Sequence, residues 1–129
     1  MNNFINTLVE YIDQLEMDYP VKIGIFAEEP CLMVKPIEGS EVLHEYMNGM
    51  VDIRLPFEIS IKSNDQEEAF NLLNDVMKHL KDMRNFLTDK SEDQNLLNLT
   101  MDQMPVFQAR DGNYFYYSAK LTVDLTVDP

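Results

Sequence analysis

Between Val51 and Lys62 the chain alternates without a break. Val51, Ile53, Leu55, Phe57, Ile59 and Ile61 are apolar, and Asp52, Arg54, Pro56, Glu58, Ser60 and Lys62 between them are not. Period two over twelve residues predicts one strand about 40 Å long, with a buried and a polar face. Pro56 has no N–H for a ladder, which predicts a sheet edge or a bulge there. A second alternation closes the chain. Phe115, Tyr117, Ala119, Leu121, Val123, Leu125 and Val127 point one way, and Tyr116, Ser118, Lys120, Thr122, Asp124 and Thr126 the other. Ahead of it, Val106 to Arg110 leads into Asp111-Gly112, a two-residue hairpin signal. Leu96 to Met104 carries no clear period and reads as a short strand at most.

Two segments carry the helical period instead. Phe4, Leu8, Tyr11 and Leu15, widened by Ile5 and Ile12, form one apolar stripe. Ala69, Phe70, Leu73, Val76, Met77, Leu80 and Met83 form another, entered through Ser63-Asn64-Asp65-Gln66 with capping boxes available from Ser63 to Gln66 or from Asp65 to Glu68. Val21, Ile23 and Ile25 predict a strand, with Cys31 to Lys35 as its hairpin partner across the Ala27–Pro30 turn. From Pro36 to Gly49 the pattern fades, and the segment reads as a long flexible loop. The order of elements predicts a single α+β domain over residues 1–129, a largely antiparallel sheet with two amphipathic helices packed on one face.

Charge changes the picture of partners. The 129 residues include 10 Lys and Arg against 23 Asp and Glu, a formal net charge of −13. Such a surface repels phosphate backbones and anionic lipid, which argues against a sequence-specific nucleic-acid partner and against a membrane. The single cysteine, Cys31, rules out an intramolecular disulfide and points to a reducing compartment. The first residues lack a signal-peptide pattern, and no apolar run approaches the roughly 20 residues of a spanning helix, so a soluble protein is expected.

Catalytic and metal signatures are missing from the pattern. His44 and His79 share no ligand-type spacing, the glycines are scattered singly, and no serine sits in a nucleophile elbow, so no metal, cofactor or enzymatic role is expected. Tyr114-Phe115-Tyr116-Tyr117 looks like a stacking platform, but period two splits it, sending Phe115 and Tyr117 inward and Tyr114 and Tyr116 outward. Two unusually long strands leave edges that an oligomer can cover between subunits. A small ligand-binding domain and a peptide-binding adaptor that accepts a strand on its edge stand as alternatives.

One resemblance spans nearly the whole chain. It rests on Phe26 to Pro36, the polar segment after it, and the long strand ending Leu55-Pro56-Phe57-Glu58-Ile59-Ser60-Ile61-Lys62-Ser63. The Asn64-Asp65-Gln66-Glu67 helix entry and Tyr114-Phe115-Tyr116-Tyr117-Ser118 complete it. Together they resemble the small minor capsid or tail-terminator proteins of long-tailed bacteriophages and prophages. The resemblance implies a non-enzymatic structural role, assembled in the host cytoplasm and carried in the neck or tail of the virion. It implies a ring, a hexamer in that family, that caps the tail tube at the head-proximal end. Its partners would be further copies of itself, the major tail tube protein and a head–tail connector or stopper. Under it, the segment Glu38–Gly49, with Glu41, His44, Tyr46 and Met47, is the candidate docking arm. Arg54, Glu58, Tyr116 and Lys120, on the outward faces of the long strands, are candidate subunit contacts.

Overall fold

The computed structural model describes residues 3–15, 19–80 and 94–127. In chain order it contains α1 (Asn3–Gln14), β1 (Val21–Ile23), β2 (Cys31–Pro36), β3 (Glu41–Glu45), β4 (Val51–Ser63), α2 (Gln66–His79), β5 (Gln94–Asp111) and β6 (Tyr114–Val127). The strands form one sheet in the order β1-β2-β4-β6-β5, with β3 also paired to β4. Every pairing is antiparallel except β1 with β2. The fold is α+β, as the pattern predicted.

The two long alternations find each other. β4 and β6 pair from Val51↔Val127 to Ser63↔Phe115 with no register shift. That register sets Ile53 opposite Leu125, Phe57 opposite Leu121 and Ile59 opposite Ala119, so both apolar sets fall on one face. A slip of one residue would turn every one of them to solvent, which is why the register is unambiguous. Both helices pack on that face. Phe4, Leu8 and Ile12 of α1 and Leu73, Met77 and Leu80 beside or within α2 are fully buried with Leu32, Ile59, Ile61, Leu121 and Leu125 in a single core. Each such side chain stabilises the fold by about 1.5–3 kcal/mol relative to exposure.

Asp65 is the N-cap of α2, but neither capping box is completed. The Glu68 N–H donates to Asp65 Oδ1 at 3.1 Å, while the Ser63 hydroxyl accepts from the Asp65 N–H and bonds the Tyr19 hydroxyl. Glu67 and Glu68 in the first turn and Lys78 in the last complement the helix dipole. Phe70, expected in the core, is 41% exposed. The buried stripe is the narrower Ala69-Leu73-Val76-Met77-Leu80 row, and position 70 lies off it, at the helix edge. Met83 lies outside the described residues.

Cys31–Lys35 is not a hairpin partner of Val21–Ile23, because the two run parallel with Val21 opposite Leu32. At Gly24, with φ of 78°, the chain leaves β1. The following segment crosses the outer face of the sheet, where Lys62 Nζ donates to the Ala27 and Glu28 carbonyls at 2.9 Å each. Ile25 is consequently 73% exposed and the apparent alternation ends at Ile23.

The segment from Pro36 to Gly49 is not one long loop. It contains β3, antiparallel to β4 with Glu41 opposite Arg54, and a turn closed by the Tyr46 N–H on the Met50 carbonyl at 2.8 Å. All five β3 residues are exposed, so no burial period marks the strand.

Leu96–Met104 belongs to an 18-residue strand. Its register against β6 shifts four times, and each shift breaks the period that would have revealed it. The hairpin turn also falls one residue later than expected, on Gly112-Asn113 between paired Asp111 and Tyr114.

Pro56 is neither on a sheet edge nor at a bulge. Its pairing with Thr122 is regular. On its other side β2 stops opposite Phe57 and β3 begins opposite Arg54, so the missing N–H falls in the gap where β4 changes partner. There the Pro56 carbonyl still accepts the Ile37 N–H at 3.1 Å.

Candidate interaction surface

The outer face of the sheet, opposite the helices, carries rows of paired polar groups. Arg54 on β4 faces Asp124 on β6, and its guanidinium grips the carboxylate through Nε–Oδ1 at 2.8 Å and Nη2–Oδ2 at 3.2 Å. Its Nη1 reaches Glu41 Oε1 on β3 at 3.2 Å. This double acceptor raises the Arg54 pKa further above its usual range, chiefly through the Asp124 hydrogen bond. One step along, Asp52 accepts from Thr126 Oγ1 at 2.5 Å and from the Tyr46 hydroxyl at 2.8 Å. The Thr126 bond, then the Tyr46 bond, hold the Asp52 carboxyl below its ordinary value, and the same bond raises the Tyr46 phenol.

Of the residues singled out from the sequence, Glu41 and Arg54 are brought into contact. His44 and Tyr46 stack edge to face with ring centroids 4.5 Å apart, and Tyr46 ties the hairpin to β4 through Asp52. Met47 stands fully in solvent at the hairpin tip. Farther along β4, Glu58 approaches Lys35 at 3.6 Å and lies directly opposite Lys120. Tyr116 is separate from these, half-buried under the ring of Phe26 at 5.2 Å. Lys62 beside it lies 4.4 Å over the Tyr114 ring.

Sequence reasoning missed the cross-strand hydrogen bonds. Asp52, Asp124 and Thr126 look like solvated positions in an alternating strand, and only the β4–β6 register reveals their partners. It also missed an aromatic row on the helix side. Phe70 of α2, Tyr117 of β6 and Phe107 of β5 sit edge to face, with centroids 6.0 Å and 5.6 Å apart. Gln66 Nε2 donates to the Tyr117 hydroxyl at 3.0 Å. Phe70 and Phe107 remain 41% and 47% exposed. The available signal was the apolar Val106-Phe107 pair beside a hairpin, whereas Phe70 keeps the helical period and gave none.

A groove of about 240 Å³ lies where β2 gives way to β3, lined by Ile5, Pro36, Ile37, Leu55 and Phe57. Its only side chain able to hydrogen-bond is Ser40, so it lacks the convergent polar groups of a catalytic or small-molecule site. Among the described residues no group of three or more His, Cys, Asp and Glu is placed to hold a metal. No described helix is long and apolar enough to cross a membrane.

Comparison with known families adds one finding. The family model described as bacteriophage tail terminator protein matches residues 13–127. No curated protein matches the chain.

Proposed function

The chain belongs to the bacteriophage tail terminator family, a structural family of the phage tail, and from that premise we propose that it forms a ring closing the head-proximal end of the tail tube. The ring, a hexamer on this reading, joins the tube to the head connector or stopper. It acts by contact and not by catalysis.

The observation that carries this reading is the β3–β4 hairpin. Every residue of β3 is exposed, and Val42, Leu43 and Met47 present apolar surface beside Glu41, His44 and Tyr46. A folded, anchored projection of this kind suits a contact arm between proteins. Glu58 and Lys120, on the open part of the outer face, extend the contact surface, together with Arg54 and Tyr116 at its two ends. The net charge of −13 gives a ring wall that repels the phosphate backbone, so genomic DNA passes without adhering.

Light-scattering chromatography across protein concentration and salt, alone and with the tail tube protein, tests the reading. A discrete ring-sized species is expected, favoured by salt because screening relieves repulsion between acidic copies. A strict monomer in every condition, tube protein included, overturns it.

A further inference from the structure

The hairpin tip and the aromatic row, two exposed apolar features among the described residues, lie at opposite corners of the subunit. β6 pairs with the whole of β4, so β3 must lie on the other side of β4, and β5 forms the far edge beyond β6. The hairpin tip adjoins Val51, paired with Val127, whereas the aromatic row centres on Tyr117, paired with Ile61. Those positions are separated by ten residues of strand, about 33 Å at 3.3 Å per residue. One copy therefore cannot bring its tip to its own aromatic row. Two different surfaces at opposite corners make a head-to-tail contact, the kind that closes rings.

Charge selects the same pair of surfaces. Copies with a net charge of −13 can meet most easily where charge is absent. The tip, Tyr46-Met47-Asn48-Gly49-Met50, carries none, and neither does β5 from Gln103 to Ala109. At one border of each the charges are opposite: Glu45 precedes the tip, and Arg110 follows the Phe107 segment of β5, which Asp102 precedes and Asp111 closes. Arg110 is exposed, held by its Nε on the Gly112 carbonyl at 3.2 Å. On the other flank, the first turn of α2 carries Glu67 and Glu68, which turn an incoming Glu45 toward Arg110. The chemistry of the tip also fits. A methionine thioether packs favourably on aromatic ring edges, and clustered aromatics are the usual anchors of protein contacts.

We propose that the β3–β4 hairpin tip of one subunit docks on the Phe70–Tyr117–Phe107 row of a second copy of this chain, with Met47 against the rings and Glu45 facing Arg110. The contact rests on the ring reading above and specifies how neighbouring copies engage.

The test is a cysteine pair, Met47→Cys with Phe107→Cys, oxidised after assembly. Cys31 is fully buried and stays as it is. Because the two positions are at opposite corners of one subunit, any bond between them joins different copies. A ladder of covalent multimers is expected from the pair, and no more than dimers from either cysteine alone. Met47→Glu, at a fully exposed position, should keep the monomer's thermal midpoint and raise the concentration for half-assembly by about tenfold or more. Glu45→Arg and Arg110→Glu should each weaken assembly, and the double swap should restore it. Wild-type rings that give no ladder, with assembly unmoved by Met47→Glu, overturn this contact and leave the ring reading standing. A protein that never assembles overturns both.

Discussion

Arg54 and Asp124, 70 residues apart in sequence, form a two-pronged ion pair across neighbouring strands, with Nε–Oδ1 at 2.8 Å and Nη2–Oδ2 at 3.2 Å. The Asp124 side chain is only 12% exposed, so removing the arginine takes both of these donors away from a largely buried side chain. Arg54→Ala should lower the urea midpoint of the subunit modestly, because the arginine itself is partly solvated. Arg54→Lys should recover only part of that, since an ammonium cannot span both oxygens. Urea denaturation reads both values. Because the pair works within the subunit, any effect of Arg54 variants on assembly must be measured where the monomer remains folded.

The Asp52 carboxyl is lowered from its ordinary 3.8 by bonds from Thr126 and Tyr46. A depressed folded value means that the contribution is fully present above the unfolded value and lost as pH falls through the folded one. Stability should therefore fall on acidification below about pH 4, and Asp52→Asn should flatten that part of the profile. Thermal midpoints of the two proteins between pH 5 and pH 2, about the range linkage assigns to such a carboxylate, check this. Parallel profiles would refute it.

Lys62 pins the crossing segment to the sheet through the Ala27 and Glu28 carbonyls. Lys62→Met keeps the aliphatic stem and removes both donors, leaving two carbonyls short of a partner. The expected cost is about 1–3 kcal/mol, together with faster hydrogen exchange in residues 24–30 than in β4. Unchanged exchange there would show that the Phe26–Tyr116 contact is sufficient.

Gly39 adopts φ of 117° where the chain passes from β2 to β3, and a Cβ there would come within 3.5 Å of Pro56 Cγ. The contact is ordinary, but the dihedral disfavours any L side chain. Gly39→Ala should cost about 1 kcal/mol or more and loosen the start of β3. Equal stability of the variant in a denaturant series would show that the turn relaxes freely.

The periodic elements were legible in the sequence because their periods report burial on one face. α1, α2, β4 and β6 each bury a continuous stripe, so Phe4-Leu8-Ile12 and Ile53-Phe57-Ile59-Ile61 announced both their elements and the core. The tail-terminator resemblance rests on Phe26–Pro36, the polar segment after it, the end of β4, the entry to α2 and the start of β6. Tertiary structure alone decided the rest. β3 buries nothing, so its sequence carries no period, and it is a strand because β4 offers hydrogen bonds where β2 ends. β5 hid behind its register shifts, and the parallel pairing of β1 with β2 follows from a crossing segment anchored by a lysine 34 and 35 residues away. The candidate surface divides the same way. Exposure of Met47 and the outward faces of Arg54, Glu58 and Lys120 follow from local pattern. The acceptors Asp52 and Asp124, and the meeting of Phe70, Tyr117 and Phe107 from three elements, arise only when distant segments fold together, because a contact between faces is a property of register and packing that no single stretch of chain contains.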